Sequence, residues 1–138
     1  MAITIDEVLQ GALDRINTAL GGGNQFTFFK ERMDAWPPNA RTITALCEGA
    51  ISSSRSPNDE LEIVFVVAGS DYTNAKDTAF TIYRTLHLLF DVLAGEANSG
   101  YNGFWVLEPP VRFSSPEELL TFSNIYVIRA RTWAETRT

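Results

Sequence analysis

The chain has 138 residues, 45% of them hydrophobic, with 17 acidic and 11 basic side chains and a formal net charge of −6. That balance, with a mean hydropathy of −0.05, fits one globular domain with its own core and excludes a disordered or membrane-embedded chain. The acidic excess opposes nucleic-acid binding through the phosphates, and the single cysteine, Cys47, permits neither an internal disulfide nor a multi-cysteine metal site.

No apolar run approaches the roughly 18–20 residues that span a bilayer. Residues 1–7 carry acids and no basic n-region, so they do not read as a secretory signal, and a lone cysteine suits a reducing cytoplasm. Residues 1–138 are therefore expected to form one domain.

Thr4 and Glu7 have capping-box spacing, and Ile5, Val8, Leu9, Ala12, Ile16 and Leu20 recur with helical period. The pattern predicts a helix over residues 5–20, closed by Gly21-Gly22-Gly23. A phosphate cradle would open a helix after a strand, and these glycines close one. Residues 26–33 read as a strand. Trp36-Pro37-Pro38-Asn39 reads as a rigid turn, and residues 41–46 as a second strand antiparallel to the first.

Residues 49–59 are small and polar, centred on Ser52-Ser53-Ser54-Arg55-Ser56-Pro57, and predict a mobile loop suited to a partner-contacting arm. Residues 61–68 are apolar on both faces, as expected of a central strand. A helix over residues 73–93 supplies its cover, with Ala75, Ala79, Ile82, Leu86, Leu89, Phe90 and Leu93 as its apolar stripe. Asp71 or Thr73 caps its start and Gly95 follows its end. Residues 101–107 read as strand, with Asn102-Gly103 suited to a tight turn and Pro109-Pro110 as the stop. Residues 114–120 read as a linker or short helical turn, residues 124–133 as a closing strand, and residues 134–138 as a tail. The fold class is α+β: a mixed, mostly antiparallel sheet of four or five strands with two main helices packed on one face.

No catalytic, cofactor-binding or metal-ligating cluster stands out. His87, the one histidine, has Asp91 four residues on and reads as a helix-surface pair. Cys47 reads as a small buried apolar residue rather than a nucleophile, which would need a general base brought from elsewhere. Glu117-Glu118 and the group Asp59, Glu60 and Glu62 read as solvated carboxylates. Arg129, Arg131 and Arg137 alternate with other residue types and read as an exposed strand face. The aromatics Trp36, Phe104, Trp105, Phe113, Phe122, Tyr126 and Trp133 supply core, with some left for an interface. These signals point to assembly rather than reaction, and no enzyme is expected.

The segments Trp36 to Ile43, Val64 to Ala75 and Ile82 to Leu86, then Pro109-Pro110 and the closing Phe122 to Arg129, follow one another as in a known family. In pattern and order the chain resembles the phage minor capsid and tail-terminator (tail-completion) proteins over most of its length. Residues 49–59 match no motif of that family. The resemblance implies a structural virion protein, a ring, commonly hexameric, that caps the head-proximal end of a tail tube and meets the head connector. The implied partners are other copies of the chain, the tail tube protein and the head connector or stopper protein. DNA would pass through the lumen without sequence-specific binding, and no membrane is involved. Such a protein is made in the bacterial host cytoplasm and resides in the tail or neck of the virion. Candidate contact residues are Ser53, Arg55 and Pro57 in the arm, with Trp36, Arg112 and Phe113. Alternatives are a head-completion or connector ring, a cellular adaptor binding a peptide along a sheet edge, and a small-molecule-binding domain or enzyme.

Overall fold

Helix α1, Ile5–Leu20, begins where the capping box places it. The Glu7 N–H donates to Thr4 Oγ1 at 3.1 Å, and the Thr4 N–H donates to Glu7 Oε1 at 3.2 Å, so two otherwise orphaned donors are satisfied reciprocally. The helix ends at Gly21, whose φ of 87° is a conformation glycine adopts without a Cβ penalty. The computed structural model describes residues 4–21, 26–30, 41–52, 59–69, 72–87, 101–112 and 125–134, without the side chains of residues 72 and 101–104.

Six strands follow among the described residues: β1 (Thr27–Phe29), β2 (Thr42–Ile51), β3 (Asp59–Ala68), β4 (Tyr101–Leu107), β5 (Val111–Arg112) and β6 (Ile125–Ala134). The second helix, α2 (Tyr72–Leu86), lies between β3 and β4 in sequence. The sheet order is β1-β2-β3-β6-β4, with β5 also on β6. All pairings are antiparallel except β1 with β2. The class is α+β with a mixed, mostly antiparallel sheet, and the two-residue β5 takes the strand number beyond the expected four or five.

Strands alternate their side chains between two faces, and the register sorts them cleanly. Ile43 and Ala45 of β2, Leu61, Ile63, Phe65 and Val67 of β3, and Tyr126, Ile128 and Ala130 of β6 share one face, here called inner. These side chains form a single apolar cluster with Val8, Leu9, Ala12, Leu13 and Ile16 of α1 and Ala75, Ala79, Ile82 and Leu86 of α2. Trp105 and Leu107 of β4 complete it. The β3–α2–β4 passage joins two strands that run the same way, with β6 inserted between them.

Several sequence expectations need correction. Residues 27–29 pair parallel, not antiparallel, with Thr42–Thr44. Gly49, Ala50 and Ile51 are strand rather than loop, paired with Glu62, Leu61 and Glu60 beyond a bulge after Cys47. Asp59 and Glu60 likewise belong to β3. Thr73 lies inside α2 and is not its cap, because the helix begins at Tyr72. Asn102 and Gly103 lie within β4, where the register to β6 shifts, and not in a turn. Ala134 is a fully buried strand residue instead of the start of a tail. Expectations on Trp36-Pro37-Pro38-Asn39, Asp71, residues 88–100, 114–120 and 135–138 fall outside the described residues.

On the other, outer face, Thr44 is 1% exposed and its Oγ1 has no hydrogen-bond partner among the described residues. A buried hydroxyl without a partner costs about 1–3 kcal/mol of desolvation. Thr44→Val keeps the shape and removes that group, so a gain of about 1 kcal/mol in denaturant unfolding is expected.

Candidate functional site

The outer face of the sheet carries the charge. Outward positions on β3 are Glu60, Glu62, Val64 and Val66, and on β6 they are Val127, Arg129, Arg131 and Trp133, with Glu62 opposite Arg131 and Val64 opposite Arg129. From β2 comes Glu48, and from the end of β4 come Val106 and Glu108. Arg129 Nη1 lies 3.5 Å from Glu48 Oε1, and Arg131 Nη1 lies 3.7 Å from Glu60 Oε1. Both guanidinium side chains are more than half exposed, so each pair adds little to folding and can be exchanged for another partner at low cost.

Between these pairs the face opens into a groove of about 180 Å³, with Val64 and Val106 in its walls and Glu62 and Glu108 exposed beside them. Neither Glu62 nor Glu108 has an ion-pair partner among the described residues. The Glu108 N–H donates to the Arg129 carbonyl at 2.8 Å, fixing the backbone where Pro109-Pro110 interrupts the edge between β4 and β5. An aliphatic wall with two uncommitted carboxylates can accept a long cationic side chain along its stem and at its head. The expectation that Arg129 and Arg131 form an exposed strand face holds, and sequence spacing did not bring out the carboxylates gathered around them from three other strands.

His87 is not a helix-surface residue. It is half-buried just past the end of α2, its ring stacked on Tyr83 with centroids 4.9 Å apart, and its Nδ1 accepts the Leu107 N–H at 3.0 Å. That ties the end of α2 to β4, and it requires a ring with an unprotonated Nδ1. Asp91 lies outside the described residues. His87→Phe preserves the stacking and leaves the Leu107 N–H without its acceptor, so a loss of about 1–3 kcal/mol is expected in chemical unfolding.

Cys47 is half-buried rather than fully buried, and its Sγ donates to the Gly49 carbonyl at 3.4 Å. Burial pushes its thiol above the ordinary value of 9.0, and the Glu62 charge adds to the effect. The thiolate is thus disfavoured in the fold. Alkylation by iodoacetamide at neutral pH is expected to be slower than in the unfolded chain. Because the folded value is the higher one, the unfolded chain ionises first as pH rises. The group's contribution to stability is constant through neutral pH and falls once pH passes 9.0.

Of the candidate contact residues, Arg112 is exposed on β5 opposite Tyr126. Trp36, Ser53, Arg55, Pro57 and Phe113 lie outside the described residues. Trp105 and Tyr126 are buried and Trp133 is half-buried. Asp59 is buried, which corrects its expected solvation, while Glu60 pairs with Arg131 and Glu62 is exposed. Among the described residues no group of three or more His, Cys, Asp or Glu side chains is placed to hold a metal, and no helix is long and apolar enough to cross a membrane. A scan against protein-family models finds no match to the chain, and a search of curated proteins finds none.

Proposed function

We propose that the chain is a structural, non-enzymatic virion protein of a tailed bacteriophage, a tail terminator that caps the head-proximal end of the tail tube as a homo-oligomeric ring. The ring, with a hexamer as the expected form, meets the tail tube protein on one side and the head connector on the other, and DNA passes through its lumen. The protein is made in the host cytoplasm and ends in the tail or neck of the particle.

The observation that carries this reading is the outer sheet face, which keeps an open groove and loosely paired charges while the inner face is given over to the core. A face of this kind suits subunit contacts, where polar rims fix register and partner choice. The segments that resemble tail terminators also take compatible places: Val64 to Ala68 end β3, Ala75 lies in the first turns of α2, and Ile125 to Arg129 open β6. The adaptor alternative loses support at one edge, since a peptide strand added to β4 would meet a Leu107 N–H already taken by His87.

The test is to add purified, gold-labelled protein to tail tubes and image them. Label at one end only, with tube growth arrested there, is expected. Label along the tube walls or on no tube at all would overturn the proposal, and label on isolated head connectors but never on tubes would move the protein to the head-completion role.

A further inference from the structure

The outer groove has a counterpart elsewhere on the same molecule. The core stripe of α2 is Ala75, Ala79, Ile82 and Leu86, and Arg84 projects on the side away from it, exposed and in the last turn of the helix. Arg84 has no ion-pair partner among the described residues. Lys76, Phe80 and Arg84 follow one another at four-residue spacing, which sets a half-buried aromatic ring between two exposed cationic side chains on one strip of helix. Arginine and aromatic side chains are the types that dominate interface energetics. Asp77, also exposed on α2, is the one acid in that stretch.

The groove offers the reverse pattern. Three glutamates, Glu48, Glu62 and Glu108, line it with Arg129 and Arg131; Arg129 pairs with Glu48 and Arg131 with Glu60 beyond that lining, and Glu62 and Glu108 have no ion-pair partner among the described residues. We infer that the occupant of this groove is a second copy of the chain, which inserts Arg84 of its α2 between Glu62 and Glu108 while its Phe80 covers the aliphatic wall at Val64 and Val106. The inference rests on the ring reading and names the two faces that meet. The choice of a second copy follows from charge complementarity: a cation with no ion-pair partner among the described residues, on one face of the chain, matches two such carboxylates on another. The patches differ, so the contact is heterologous, which is the arrangement that closes into a ring or runs on into a filament. A partner inserting a basic residue of its own would use the groove but leave Arg84 idle.

The experiment is sedimentation velocity on the full chain across a concentration series, comparing the parent protein with Glu62→Lys/Glu108→Lys, Arg84→Glu and the swap Glu62→Arg/Arg84→Glu. All these side chains are exposed, and melting temperature checks each fold. The neutral pair Glu62→Gln/Glu108→Gln replaces any charge-reversed variant that melts early. Each one-sided reversal is expected to raise the concentration for half-assembly by at least about tenfold, and the swap to recover most of that loss. Assembly unchanged in both reversals overturns the inference and leaves the ring standing. Assembly lost in the glutamate variants but unchanged in Arg84→Glu overturns the second-copy occupant in favour of a different cation. A parent protein that never assembles removes the ring and the inference together.

Discussion

Trp105→Ala is expected to lower the stability of the fold by about 3–5 kcal/mol, the range for truncating a buried aromatic side chain. Trp105 is 1% exposed, the largest of the fully buried side chains among the described residues. Its ring lies 5.8 Å from that of Phe65 at an interplanar angle of 45°, a tilted contact that adds to area burial. Position makes the loss worse. Among the described strands β4 pairs with β6 alone, so side-chain packing carries much of what holds it to the sheet. The loss is comparable to much of a small domain's total stability of about 5–15 kcal/mol. Urea unfolding measures it directly, with Trp105→Phe as a milder control. A change below about 1 kcal/mol would mean that β4 is not part of the core.

Gly69→Ala is the second severe change. A Cβ on Gly69 would stand 2.6 Å from the Ala75 nitrogen and 2.8 Å from its Cα and Cβ. These are backbone atoms and a methyl group in α2, with no flexible side chain to swing aside. The end of β3 and the start of α2 must therefore move apart, drawing Ala75 and Ala79 away from the cluster they fill. Overpacking of this kind costs about 1–3 kcal/mol, and the backbone contact places the substitution at the upper end. Thermal unfolding should drop by several degrees for each kcal/mol lost. Adding Ala75→Gly removes one of the three close contacts and leaves the closest, so it should restore little. Full recovery in that double variant would contradict a backbone clash.

How much of this was legible depends on how local each signal is. α1 was readable from Thr4 to Gly21 because capping and helical period are properties of neighbouring residues. β3 and β6 were readable from their patterns, continuous in one and alternating in the other. What failed was pairing. Whether β1 runs parallel or antiparallel to β2 is not a property of neighbouring residues, and a proline-rich turn motif argues for the wrong answer. Gly49 and Ala50 have weak strand propensity, and with Ile51 they join the sheet because β3 extends alongside them, an instance of context overriding propensity.

The site was less legible than the fold for the same reason. Arg129 and Arg131 announce an exposed face by alternation, but Glu48, Glu62 and Glu108 reach it from β2, β3 and the end of β4, and no spacing in the sequence links them. His87 shows the limit most clearly. Its partner is a backbone N–H 20 positions away, so the nearby Asp91 was the only partner a helix pattern could suggest.

The assembly proposed for this chain is a closed ring of identical subunits. Light scattering after size-exclusion chromatography, run on the unmodified protein over a wide concentration range, tests it most directly. The expected result is a concentration-dependent step from monomer to one discrete, ring-sized mass with no larger species beyond it. A monomer at every concentration, with and without tail tubes present, would contradict it.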